Sequence, residues 1–156
     1  MRARLTAAMV LAALSTAALP VSALAGTTTK AMWGPVSDFP VYHALGVGIY
    51  ETNLDWGAAA PTRPRNPSNP SDPAYRWSPG IDYAIKQAAR YHMRVLLQVG
   101  RTPSWANGGR AASYPPSRPS DLASFLTAAA RRYPSVHLWM IWGEPNHKVN
   151  LPIFTN

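Results

Sequence analysis

One carboxylate, Glu144, follows an apolar run closely and directly precedes a proline. The run Leu138–Trp142 is apolar at successive positions, which is typical of a strand buried on both faces of a sheet. Gly143 then allows the backbone a wider range of conformations, and Pro145, which has no backbone N–H, prevents the strand from continuing. In α/β proteins the carboxyl ends of such strands are where ligands bind. A carboxylate held there is either placed as in a functional site or caps the helix or turn that follows.

The segments that must position Glu144 alternate between strand and helix patterns. Apolar runs predict strands at 30–33, 47–54, 94–99 and 137–142. Between them lie a short helix pattern after Asp38 and two longer ones, which begin at Ser78 and at Ser120-Asp121. Strands alternating with helices predict a parallel sheet. The segments after strands are long (57–76 and 101–119) and those after helices are short (92–93 and 134–135), which is typical of barrel enzymes.

The motif Trp142-Gly-Glu-Pro-Asn146 resembles the Trp-Asn-Glu-Pro-Asn signature of glycoside hydrolase clan A, the retaining TIM-barrel glycosidases. The β-xylosidase/α-iduronidase-like and cellulase-like families are the most similar. Three further segments between residues 31 and 147 are similar to the same families: Asp55-Trp56, Tyr75-Arg-Trp77 and Thr102-Pro-Ser-Trp-Ala106. The resemblance implies an α/β fold, a partial (β/α)8 TIM barrel covering about the first four βα units. A complete barrel takes about 250 residues, more than this chain supplies.

The resemblance also implies roles for individual residues. The Glu of the signature is the general acid/base, which assigns that role to Glu144. The family's Asn before it contacts the sugar 2-hydroxyl, and here that position is Gly143. Retaining hydrolysis needs a second carboxylate as nucleophile, about 5–5.5 Å from the first. In the clan it comes from the seventh strand, so we expect this chain to lack its nucleophile and not to turn over. Neither Glu51 nor Asp55, both near a strand end, is marked as that group.

Aromatic side chains supply candidate sugar platforms, because their faces pack against the apolar faces of pyranoses. The candidates for substrate binding are Trp56, Trp105 and Trp142, with Trp77 as a further one; each is alternatively a core or loop-anchoring tryptophan. Asn146 either orients Glu144 and binds sugar or forms a turn. His147 either reaches the site or is structural.

Other chemistries find little support in the composition. There is no cysteine and no Gly-x-Ser-x-Gly motif, so an acyl-transfer triad is not indicated. Three histidines are not spaced as metal ligands: His43, His92 and His137. We predict neither a metal nor a cofactor. The net charge of +8 is spread along the chain without a basic cluster, which argues against nucleic acid as a partner. The resemblance to glycosidases implies a carbohydrate partner.

The amino-terminal residues resemble a secretion signal. Arg2 and Arg4 precede the apolar stretch Leu5–Leu19, and Ala23-Leu-Ala25 has the small residues of a cleavage site. We therefore predict a signal peptide over 1–25, a barrel portion over 26–156 and an extracellular location. No later apolar stretch approaches the ~20 residues of a membrane span. Because a partial barrel leaves a strand edge unpaired, we also predict self-association.

Three functional alternatives remain open. The first is a secreted glycoside hydrolase acting on a polysaccharide or oligosaccharide. The second is an exported carbohydrate-binding protein without catalysis, or an inactive glycosidase remnant. The third is a structural surface protein of the α/β class.

Overall fold

The chain has an α/β fold built on one parallel sheet. The computed structural model describes residues 29–147, 149, 150 and 152, so the predicted signal peptide over 1–25 lies outside the described residues. The strands run in the order β1-β2-β3-β4, each parallel to its neighbour. They are β1 (Lys30–Trp33), β2 (Val47–Asp55), β3 (Arg94–Gly100) and β4 (Leu138–Ile141). The predicted parallel α/β sheet is therefore confirmed.

Helices connect each strand to the next. A 3-10 turn (Val36–Asp38) and α1 (Phe39–Ala44) link β1 to β2; α2 (Trp56–Ala59) and α3 (Pro79–Arg90) lie between β2 and β3; α4 (Ser104–Asn107) and α5 (Pro119–Arg132) lie between β3 and β4. The chain thus shows three strand–helix repeats and a fourth strand, and no helix after β4 lies within the described residues. None of the described helices is both long and apolar enough to cross a bilayer.

Proline, not serine, starts the two long helices. Pro79 and Pro119 each occupy the first turn, where a missing N–H costs nothing. Ser78 sits at the predicted N-cap position, but its side chain makes no capping hydrogen bond. The predicted cap at Ser120-Asp121 is wrong: both residues lie inside α5, and Asp121 instead forms ion pairs with two arginines.

The helix-facing side of the sheet forms the core. Leu54, Leu97 and Val99 are at most 1% exposed and belong to one apolar cluster with residues of α3 and α5. Since side chains alternate along a strand, the residues between them lie on the opposite face. We call that side the open face; it carries the polar residues Glu51 and Gln98. The helix-facing side therefore forms the core, and the open face carries residues of the candidate site.

β4 is less buried than its apolar sequence predicts. Its first three residues are only partly buried, and Ile141 is 43% exposed. The expectation of burial on both faces is wrong: β4 is the last strand in the sheet order, and its Trp139 is only partly buried where it packs against the core. Trp33, at the end of the opposite edge strand β1, is 69% exposed.

These two edges lead to the first testable prediction. Unpaired strand edges with exposed apolar side chains favour association, and a lysine on an edge opposes it. We expect the purified chain to self-associate with rising concentration and Ile141→Lys to shift it toward the monomer, as measured by light scattering. A monomeric wild-type chain across the concentration series would contradict this expectation.

A buried carboxylate organises the proline-rich segment between α2 and α3. Asp72, 5% exposed, accepts hydrogen bonds from the backbone N–H groups of Asn66 at 2.8 Å and Ala74 at 3.0 Å. The indole N–H of Trp77 donates to the Pro70 carbonyl at 2.8 Å. The segment is therefore held by specific hydrogen bonds, and the backbone N–H groups of Ala74 and Asn66 hold the pKa of the Asp72 carboxyl below its ordinary value of 3.8.

The lowered pKa of Asp72 predicts a pH dependence of stability. A carboxyl with a depressed folded-state pKa stabilises the fold above its unfolded pKa, near 3.8, and loses that contribution as the pH falls through the folded value. We expect Asp72→Asn to be less stable than wild type at neutral pH, with the difference shrinking below about pH 4. Urea unfolding at neutral and at acidic pH measures this difference. A difference that is the same at both pH values would contradict it.

Candidate functional site

A groove follows the carboxyl ends of the strands. Three adjoining cavities there, of about 350, 330 and 120 Å³, all share Gln98 in their lining. We call the three together the strand-end groove. The polar residues that line it come from β2, from β3 and from the segments after β3 and β4: Glu51, Asn53, Asp55, Gln98, Arg101, Ser113 and Asn150. The predicted location of the site, at the carboxyl ends of parallel strands, coincides with this groove.

The backbone beside the groove is strained. Among the described residues, four non-glycine residues have positive φ. Arg101 (62°) and Trp142 (58°) directly follow β3 and β4, and Glu144 (47°) lies two residues after Trp142. For a residue as bulky as Trp142 this conformation is rare. Each such residue costs about 1–3 kcal/mol, and such strain clusters at functional sites. The left-handed backbone therefore marks this edge independently of the sequence motif.

The turn that carries Glu144 is fixed on both sides. The Trp142 backbone N–H donates to the Val99 carbonyl at 2.9 Å, and its indole N–H donates to the Asn150 carbonyl at 2.7 Å. The Asn150 side-chain amide in turn donates to a Glu144 carboxylate oxygen at 3.3 Å. Glu144 itself is exposed. Glu144 lines none of the three cavities; its carboxylate reaches the rim of the groove only through this weak contact with Asn150 and remains open to solvent.

Asp55, the carboxylate that ends β2, is already engaged. It accepts from the Ala58 N–H at 2.9 Å, capping α2, and forms a 2.8 Å ion pair with Arg101. The pair is well exposed, so it adds little stability. Because both of its oxygens have partners, Asp55 is better suited to shaping the rim of the groove than to attacking a ligand.

Sequence reasoning missed the polar residues of the open face. Gln98 interrupts the apolar run of β3 and is paired with Asn53 of β2. A polar residue interrupting a buried strand is the signal that would have drawn attention to Gln98, because burying an amide costs free energy unless it has partners.

Trp56 is not a sugar platform. The prediction that it binds substrate is wrong because its indole is 0% exposed, stacked on Phe125 at 5.4 Å between ring centroids. Its side chain leaves the strand toward the helices, so it belongs to the core.

Trp105 anchors loops. Its indole N–H donates to the Ala60 carbonyl at 2.8 Å, and the Arg63 guanidinium lies 4.4 Å above its ring. Trp105 also lines none of the cavities that make up the groove. Its predicted role in substrate binding therefore gains no support from its position. Trp77 is similarly packed, 4.8 Å from Tyr75.

The other predicted residues lie closer to Glu144. Trp142 is 9% exposed and lines the smallest cavity of the groove. Asn146 and His147 are exposed in the turn after Glu144, where the His147 N–H donates to the Glu144 carbonyl at 2.9 Å. The binding roles of Trp142 and Asn146 remain predictions.

Another cavity, of about 370 Å³, lies away from the strand ends, between α3 and the end of α5. Two of its charged residues, Asp82 and Arg132, form an ion pair at 2.6 Å, and a third, Lys86, also lines it. Burial raises the pKa of Tyr133, which also lines it, to about 12, so this phenol stays protonated at neutral pH. Within the described part of the chain, no three His, Asp or Glu side chains come together as a metal site.

The strand-end groove is therefore best suited to a neutral ligand rich in hydroxyl groups. It offers amides that both donate and accept, and carboxylates that accept hydrogen bonds. Its one guanidinium, that of Arg101, is already paired with Asp55.

Comparison with known proteins supports the fold. No protein-family model and no curated protein sequence matches the chain. A similar solved structure is that of a family 39 glycoside hydrolase from the gut symbiont Bacteroides cellulosilyticus WH2, with 15% identity over 75% of this chain and a TM-score of 0.55. The chain spans 24% of that protein's length. The fold of this chain is therefore similar to part of a glycoside hydrolase.

Proposed function

We propose that this chain is the amino-terminal part of an exported retaining glycoside hydrolase of clan A, with Glu144 as general acid/base. The observation that carries the proposal is the placement of Glu144: its carboxylate stands on a left-handed turn at the carboxyl-terminal edge of the sheet, beside the strand-end groove. Similarity of the fold to part of a glycoside hydrolase supports it. The substrate is a β-linked polysaccharide or oligosaccharide.

In this mechanism Glu144 donates a proton to the glycosidic oxygen as the bond to the anomeric carbon breaks. A second carboxylate attacks that carbon and forms a glycosyl–enzyme ester. The ionised Glu144 then takes a proton from water, whose oxygen attacks the same carbon and releases the second carboxylate. The proton balance thus returns Glu144 to its starting form.

We do not assign the role of second carboxylate to Asp55 or Glu51, because each already has a hydrogen-bonding partner at the groove. Asp55 is bound to Ala58 and Arg101, and Glu51 contacts the Gln98 amide. We propose that the nucleophile is supplied by a later barrel strand, outside residues 26–156, and that residues 1–25 direct secretion.

The experiment that tests this proposal begins with the gene on the 3′ side of the codon for Asn156. We expect an open reading frame encoding another strand that ends in a glutamate, and expect its complete product to release reducing sugar from a β-linked oligosaccharide. An inactive complete product, with its fold intact, would contradict the proposal.

A carbohydrate-binding protein without catalysis is the second candidate. The exposed setting of Glu144 favours it, because a general acid usually sits among apolar groups that exclude water. Saturable binding of oligosaccharide by a complete product that lacks hydrolysis would select this candidate.

A further inference from the structure

Gln98 occupies the centre of the strand-end groove. It lies on the open face of β3, paired with Asn53 of β2 on one side and with Met140 of β4 on the other. It is also the residue common to all three cavities of the groove. A ligand lying along the groove would therefore pass over this side chain.

The Gln98 amide bridges two strands. In the orientation that satisfies its neighbours, its nitrogen donates to a Glu51 carboxylate oxygen at 3.0 Å. Its oxygen accepts from the Gly143 backbone N–H at 3.2 Å. The bridge joins β2 to the turn that carries Glu144 and fixes the plane of the amide.

The same amide lies where a side chain at position 143 would begin. A Cβ atom built on Gly143 would lie 2.6 Å from the nearest atom of the Gln98 amide, closer than real contacts allow. Gly143 does not have positive φ, so a larger residue here would meet no backbone strain, but the end of the Gln98 side chain would have to shift to make room for it. A side chain at position 143 and the Gln98 amide would therefore occupy the same space beside Glu144.

The bridge leaves half of the amide unused. A primary amide has two N–H donors and two acceptor lone pairs, and the contacts with Glu51 and Gly143 take one of each. One donor and one acceptor remain. A hydroxyl group, which donates and accepts together, is the matching ligand chemistry.

We propose that Gln98 binds a hydroxyl of a neutral sugar beside Glu144 through the donor and the acceptor that the bridge leaves unused. This assignment rests on the proposed function and adds a specificity-determining residue to it. The glycine at 143 leaves the amide in the position that makes the bridge.

The test compares the affinity of the purified chain for xylotriose and cellotriose with that of three variants. Gln98→Ala removes the amide, whereas Gly143→Ala displaces it without altering Gln98. We expect each to weaken binding about tenfold, the value of one lost hydrogen bond, and the double variant to bind no more weakly than either. Gln87→Ala, the same substitution on α3, is the matched control and keeps wild-type affinity. In the wild type, we expect the Gln98 side-chain amide signals in 15N NMR to shift on sugar binding.

The outcomes separate this proposal from the proposed function. Wild-type binding that is unchanged in Gln98→Ala, with unshifted Gln98 amide signals, would overturn the assignment and leave the proposed function standing. Failure of the wild-type chain to bind either sugar would overturn the assignment of Gln98, whereas the proposed function is decided separately by hydrolysis with the complete product. If Gln98→Ala does not fold, Gly143→Ala decides the result.

Discussion

Substitution of Glu144 by Gln is expected to lower hydrolysis by the complete enzyme about 10²–10⁴-fold, the usual contribution of general acid–base catalysis. Gln keeps the shape of the side chain and can still contact Asn150 across the 3.3 Å gap. What it loses is the proton that the leaving oxygen needs. Initial rates on a β-linked oligosaccharide measure the effect, with substrate affinity expected to change little.

The matched control for this substitution is Asp38→Asn. Asp38 is a partly exposed carboxylate that lies on the 3-10 turn before α1, and not on the turn that follows β4. We expect its activity to equal that of the wild type. Equal activity of Glu144→Gln and Asp38→Asn would remove the acid/base role from Glu144.

Substitution of Trp56 by Ala is expected to destabilise the fold by about 3–5 kcal/mol, the usual cost of truncating a fully buried aromatic residue. Trp56 is 0% exposed and contacts both Phe125 and Trp105 through its ring. Since a domain has only about 5–15 kcal/mol of stability, this loss is a large share of the total. Urea unfolding of the purified chain measures it.

Substitution of an exposed tryptophan, Trp33, is the control for the Trp56 prediction. Trp33→Ala removes an indole that is 69% exposed, and we expect a change of less than about 1 kcal/mol. A Trp56→Ala variant as stable as Trp33→Ala would show that Trp56 is not part of the core. It would restore Trp56 as a candidate for ligand binding.

The order and direction of the strands were predictable because each depends on local patterns. Apolar runs stopped by Gly100 or by Gly34-Pro35 are readable in one sequence, and alternation with amphipathic helices implies parallel pairing. The placement of Glu144 just beyond β4 followed from the same reasoning. Burial of β4 did not, because it depends on what lies beside the strand.

The side chains of the groove were harder to predict because their roles depend on contacts between distant segments. The Gln98 amide in β3 accepts a hydrogen bond from the backbone N–H of Gly143 after β4, and no local pattern in the sequence predicts that contact. Trp56 and Trp142 both follow directly after strands, yet one points into the helix layer and the other lines the groove. The left-handed backbone at Trp142 and Glu144 was likewise unexpected, since glycine is the residue that usually adopts it.

The most direct measurement of the role of Glu144 is a crystal structure of the chain with bound xylotriose. We expect the sugar in the strand-end groove, with an oxygen within about 3 Å of the Glu144 carboxylate, as proton transfer requires. Sugar bound only between α3 and α5, beside Asp82 and Arg132, would contradict the assignment of the site. So would sugar in the groove with the Glu144 carboxylate turned away from it.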